Sequence, residues 1–137
     1  MVVSACLGDR SSITQAQFVE VSGARISVLV ADSPEERQKG LKEAEVIPGG
    51  ADGMLFVHET PSRVNYVMLD VPIPLDIWFF DPDGVLIGNT EMSPCPAEPC
   101  ARYPSPGEVS WVLETVAGTF AFEEGAVLTG APNGETD

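Results

Sequence analysis

Ile77-Trp78-Phe79-Phe80-Asp81-Pro82-Asp83-Gly84-Val85-Leu86-Ile87 is the stretch from which the fold is read. Four large apolar residues run into Asp-Pro-Asp-Gly, and a second apolar run leaves it. Proline presets the first turn position, aspartate side chains bond their own backbone, and glycine supplies a positive φ, so these residues define a β-hairpin. Working outward, Met54-Leu55-Phe56-Val57 and Trp111-Val112-Leu113-Glu114-Thr115-Val116 are further core strands. Residues 63–70 read as another, and Pro72-Ile73-Pro74 must then leave the ladder or run along an edge. Nearer the N-terminus, Phe18, Val19 and Val21, then Ser22-Gly23, then Ile26, Val28 and Val30 read as two strands joined by a tight turn.

Between these strands the breakers are equally legible. Ser33-Pro34-Glu35-Glu36 starts a helix, with Ser33 as N-cap, Pro34 in the first helical position and Glu36 completing a capping box; it runs to about Gly40. Pro48-Gly49-Gly50-Ala51-Asp52-Gly53 forbids regular structure. Met92 to Glu108 is a long loop with five prolines, too rigid for disorder and too irregular for a strand. Gly118 to Glu124 reads as one helical turn or two ended by Gly125, with a strand over 117–124 the alternative. Many short strands at regular spacing with one or two short helices indicate a mainly β sandwich or barrel, not a βαβ sheet. The expected layout is a single β domain over residues 17–130, an N-terminal tether over 1–16 and an acidic tail over 131–137.

The chain has 137 residues, and seven basic against 21 acidic side chains leave a net charge of −14. That balance repels phosphate backbones and anionic membrane faces, so nucleic acid is excluded as a partner. No stretch approaches the roughly 18–20 apolar residues of a membrane span. With 44% hydrophobic residues the chain has enough apolar side chains for one sizeable core.

Three cysteines divide into a close pair, Cys95 and Cys100, and a distant Cys6. Pro94, Pro96 and Pro99 stiffen the loop that carries the pair, which reads as a disulfide. The catalytic redox spacing is Cys-x-x-Cys, and zinc would need two more ligands where His58 is the sole histidine. Val3-Ser4-Ala5-Cys6-Leu7-Gly8 resembles the end of a bacterial lipoprotein signal, with Cys6 as the lipid attachment point. A disulfide argues independently for an oxidising compartment. Together they predict an extracytoplasmic lipoprotein of the cell envelope, touching the membrane only through its acyl anchor.

Five ordered blocks carry a family resemblance. They are Ser33 to Leu41, Gly53 to Val57, Ile73 to Asp81 with Asp83-Gly84, Pro94-Cys95 to Cys100 with Tyr103 and Ser105, and Val112-Leu113-Glu114 followed by Ala117-Gly118. Over about residues 26–129 the chain resembles the bacterial and archaeal domain of unknown function 192 family, DUF192. The resemblance implies a compact, jelly-roll-like β domain, often exported, with no established activity. Members usually carry Phe-Trp-Met-Lys-Asn-Thr before Ile-Pro-Leu-Asp. Here Tyr66-Val67-Met68-Leu69-Asp70-Val71 keeps the methionine and loses the lysine and asparagine.

The candidate ligand-binding residues are Met68, Asp70, Asp76, Glu91, Tyr103 and Glu114. Asp70 and Asp76 flank a proline-stiffened segment and could grip hydroxyls or act as an acid/base pair, although aspartate at a loop end commonly caps backbone amides. Trp78 and Trp111 could stack a sugar ring, but their place in apolar strands favours the core. Asp81 and Asp83 imitate a calcium loop and are accounted for as a turn; no metal or cofactor is expected. The leading expectation is a domain that binds a small polar ligand, a carbohydrate or cell-wall fragment, beside the Asp70–Asp76 and disulfide loops. The alternatives are an envelope enzyme using Asp70, Asp76, Glu91 or Glu114 as acid and base, and a module that docks an envelope protein. Catalysis of that kind predicts a carboxyl whose pKa lies well above 4.

Overall fold

A computed structural model describes residues 16–133, so Cys6, the lipobox-like stretch and the last four residues lie outside the described residues. Those described form nine strands and one helix: β1 (Ala16–Val21), β2 (Ala24–Ala31), α1 (Pro34–Lys39), β3 (Gly53–Ser62), β4 (Asn65–Tyr66), β5 (Leu75–Phe80), β6 (Leu86–Met92), β7 (Tyr103–Pro104), β8 (Val109–Val116) and β9 (Leu128–Thr129). The chain is mainly β: seven strands in the order β6-β5-β8-β3-β2-β1-β9 form one curled, half-barrel sheet, and β4 and β7 pair separately.

The decisive hairpin is β5–β6. Its turn is closed by Asp81, whose Oδ1 accepts the backbone N–H groups of Asp83 and Val85 at 2.9 Å each. Gly84 has φ 84°, and a Cβ there would stand 2.8 Å from the Leu128 carbonyl oxygen, so the turn needs glycine twice over. Ser22 and Gly23, with φ of 48° and 90°, make the corresponding turn between β1 and β2.

Strand composition follows from two cores rather than one. Ile77 and Phe79 of β5 pack with Met54 and Phe56 of β3 and Val112 of β8 on one face of the sheet. Trp78 and Phe80 pack with Leu55, Val57 and Leu113 on the other. Both faces are covered, so β3 and β5 read as continuous apolar runs instead of alternating ones. The two tryptophans belong to this packing. Trp78 Nε1 donates to Thr115 Oγ1 at 3.1 Å and Trp111 Nε1 to the Pro132 carbonyl at 2.8 Å.

Neighbouring strands in the sheet are antiparallel except β2 and β3, which run parallel. A parallel pair needs a crossover, and residues 32–52 supply it with α1 and a 3-10 turn at Pro48–Gly50. Ser27 and Asp52 pin its return: each backbone N–H donates to the other's side-chain oxygen, at 2.9 and 3.0 Å. This crossover becomes one wall of the site described below.

Two expectations need correction. Residues 63–70 form only the two-residue strand β4. After it Met68 turns into the core, Leu69 makes a single bridge to Cys95, and Asp70 adopts φ 64°. Residues 117–124 are neither helix nor strand: a turn at Gly118 leads into an irregular segment whose Phe120 and Phe122 stack at 5.2 Å, with Phe122 edge-on to Trp78 at 4.8 Å. Aromatic docking on the sheet, not a backbone ladder, holds that segment down.

Cys95 and Cys100 are joined by a disulfide. The loop is tied to the body where Cys95 N donates to the Met68 carbonyl and Asp70 N to that of Cys95. Closing so short a loop removes entropy from the unfolded chain worth about 2 kcal/mol. Replacing both cysteines by serine is therefore expected to cost about that much in urea unfolding, with an unchanged denaturant slope. A loss below about 0.5 kcal/mol would show that the prolines alone constrain the loop.

Candidate functional site

Helix α1 is positioned by its own capping box: the Glu36 N–H donates to Ser33 Oγ at 3.1 Å and the Ser33 N–H to Glu36 Oε1 at 3.2 Å. The helix thus starts at a fixed point beside β3. Arg37 ties it to that strand, Nη1 donating to the Val57 carbonyl at 2.9 Å and to that of Asp32 at 3.2 Å. Gly40 ends it with φ 46°, and a Cβ there would press on the Phe56 ring at 3.3 Å. Leu41, 2% exposed, then plugs into the core.

Between this crossover and residues 64–71 lies a cavity of about 500 Å³, within the roughly 300–1,000 Å³ of ordinary small-molecule sites. Phe56 and His58 from β3, Tyr66 from β4 and Glu114 from β8 line it, Val67, Leu69 and Val71 form an apolar wall, and Arg37, Lys39 and Lys42 come from the crossover. Tyr66 is the hub. Its ring stands edge-on to Phe56 at 5.2 Å and to Phe79 at 6.5 Å, and its hydroxyl shares a 2.9 Å hydrogen bond with His58 Nε2.

Burial sets the electrostatics of the titratable groups in the lining. Glu114 is 4% exposed between Met54 and Ile77, and burial pushes its carboxyl up to about 8, so it is protonated and a hydrogen-bond donor at neutral pH. Its carboxyl makes no hydrogen bond among the described residues, and no fully buried polar side-chain atom lacks a partner, so its oxygens open onto the cavity. Burial first, then the Arg37 charge, lowers His58 to about 4 and keeps it neutral. Tyr66 is held well above the usual phenol range by burial and by Glu114, Arg37 acting the other way.

The six candidate residues do not converge. Glu114 alone reaches the cavity lining. Met68 is core, 1% exposed behind that wall. Asp70 occupies an exposed left-handed turn, where its N–H and carbonyl bond Cys95 and Glu43; Asp and Asn both suit that conformation, which accounts for aspartate where the family carries asparagine. Asp76 caps a loop, its Oδ2 accepting the Gly118 N–H at 2.9 Å. By register it pairs with Glu91 and lies on the sheet face opposite Glu114. The Tyr103 hydroxyl accepts the Ser93 N–H at 3.2 Å, and Tyr103 backs Tyr66 across the β4–β7 pair.

Sequence reasoning missed Tyr66 and the cluster Arg37, Lys39 and Lys42 as site residues. One signal was available: three of the seven basic side chains, including both lysines, fall within residues 37–42 of a strongly acidic chain. Among the described residues no three His, Cys, Asp or Glu side chains are placed to hold a metal ion, and no helix is long and apolar enough to cross a membrane.

Comparison with known proteins agrees with this architecture. The family profile DUF192, described as Uncharacterized ACR, matches residues 17–129. A Sinorhizobium meliloti 1021 protein, labelled provisionally as a transcription regulator, superposes with TM-score 0.75 at 28% identity, over 88% of this chain and 96% of its own. A protein of unknown function from Novosphingobium aromaticivorans DSM 12444 superposes with TM-score 0.74 at 25% identity, over 91% and 93%. No curated protein matches the chain.

Proposed function

Because the chain belongs to the DUF192 family, which is defined without an activity, we propose from its own side chains that the domain binds a small polar ligand in the cavity between α1 and residues 64–71. The observation that carries this is Glu114: a buried, protonated carboxyl without a hydrogen-bond partner among the described residues, opening onto a cavity of about 500 Å³. A hydrogen bond from that carboxyl to a ligand oxygen contributes about 0.5–1.5 kcal/mol net. Carbohydrates and cell-wall fragments supply such oxygens. Placement in the cell envelope, anchored through Cys6, belongs to the same proposal and is supported by the Cys95–Cys100 disulfide. DNA contact of the kind implied by a regulator label is opposed by the net charge of −14.

A carboxyl titrating near 8 also suits a general acid, which is the one observation that favours an enzyme. Two-carboxylate hydrolysis, however, needs a second acid within about 5–9.5 Å. Glu114 is the single acidic residue of the lining among the described residues, and binding is the better reading.

Thermal unfolding across a panel of sugars, cell-wall fragments and small organic acids tests it. A ligand at about 100 times its dissociation constant stabilises by about 2.7 kcal/mol, roughly 10 °C for a domain of this size. Glu114→Met, which keeps the volume and removes the polar floor, is expected to abolish that shift, and Asp76→Asn to preserve it. A shift that survives Glu114→Met would place binding elsewhere, and consumption of the ligand would establish the enzyme.

A further inference from the structure

Net charge alone makes this protein repel anions, yet its scarce cations are not scattered. Five arginines and two lysines are all it has; Arg37, Lys39 and Lys42 line one cavity, while Glu114 is the sole acidic side chain among the lining residues described. Low-dielectric walls such as Val67, Leu69 and Val71 focus a local field, so a cavity can be electropositive inside an electronegative molecule. The opposite end offers hydrogen-bonding hydroxyl groups, the Tyr66 phenol and the Glu114 acid.

Resting on the cavity reading above, we propose that the ligand is a small hydroxylated organic anion, its charged head held by Arg37, Lys39 and Lys42 and its oxygens meeting Glu114 and Tyr66. Two further features of the lining accompany the cations. Burial keeps Glu114 uncharged at neutral pH, so the acid does not repel an anion. His58 fixes the Tyr66 hydroxyl at the cavity through their 2.9 Å bond. A cationic ligand would meet three like charges, and a neutral sugar would leave them unused.

Isothermal titration of the intact chain with D-glucuronate, D-glucose 6-phosphate, D-glucose and D-glucosamine tests the assignment, because these probes differ chiefly in charge. At least one anion is expected to bind about ten-fold or more tightly than glucose, with glucosamine weakest. The two anions separate a carboxylate head from a phosphate. The double variant Lys39→Gln/Lys42→Gln leaves the Arg37 bonds in place and is expected to lose about ten-fold for the anion, with glucose unaffected. Added salt should weaken the anion in parallel. Glucose or glucosamine binding as tightly as the anions, and lost in Glu114→Met, would overturn the anion assignment while keeping the cavity as a binding site. Silence from all four probes overturns the assignment too, and silence from the thermal panel as well overturns the cavity reading itself.

Discussion

Between pH 6.5 and 8 the folded domain is expected to lose about 2 kcal/mol of stability, and Glu114→Gln to remove most of that loss. The buried carboxyl titrates near 8 in the fold against an ordinary value of 4.5. Over that interval the folded state holds a proton the unfolded state has released. Stability therefore falls as pH rises, by about 1.4 kcal/mol per unit, is whole below 4.5, and is lost to its full extent above 8; the total is on the order of 5 kcal/mol. His58 has the opposite sign. Its folded value is depressed to about 4 from 6.5, so the unfolded state binds the extra proton and stability rises with pH across that range. Between about pH 4.5 and 6.5 the two slopes offset one another, so the decline shows only above 6.5.

Glu114→Gln keeps the size and the donor but cannot ionise. At pH 8 it is expected to exceed the wild type by several kcal/mol in urea unfolding, and at acid pH to unmask the rise due to His58. A variant that parallels the wild type from pH 6.5 to 8 would mean that Glu114 is ionised and compensated in the fold. In that case the acid would no longer serve as a donor to a ligand.

Trp78→Ala is expected to be the most damaging single substitution away from the cavity, at about 3–5 kcal/mol. Trp78 is 2% exposed, packs edge-on to Phe122 and spends its indole N–H on Thr115, itself fully buried. Removal leaves a void, frees the segment that Phe122 holds down, and orphans the Thr115 hydroxyl. Trp78→Phe separates these effects: it retains most of the volume and is expected to cost about 1–2 kcal/mol. Neither variant should change ligand affinity at temperatures where it is folded, because Trp78 lies on the sheet face opposite the cavity. A loss of affinity with little loss of stability would instead restore the sugar-stacking role open to a tryptophan. The measurement pairs a melting curve with a titration, so each reading has its own signature.

Local rules acting over a few residues determined much of this protein. The Asp81–Gly84 turn, the Ser22-Gly23 turn and the Ser33–Glu36 capping box are specified by residues that are near neighbours in the chain. The disulfide is equally local, since a proline-stiffened loop leaves Cys95 and Cys100 little room to part. Continuous apolar runs at Met54–Val57 and Ile77–Phe80 identified the central strands because both of their faces are covered.

The site depended on what no local rule reaches. Glu114 shares a cavity with Tyr66 because β8 lies between β3 and β5 while β4 pairs with β7, and strand order follows from long-range burial rather than spacing. The parallel pairing of β2 with β3 was hidden for the same reason: nothing in either strand names its partner, yet that pairing carries the crossover, with Arg37, Lys39 and Lys42, to the cavity. Asp70 and Asp76 stand six residues apart and looked like a pair. The left-handed turn at Asp70 and the Gly118 cap at Asp76 assign each to the backbone instead. Sequence determined which groups could ionise. Burial, which only the assembled sheet creates, decided that Glu114 holds its proton.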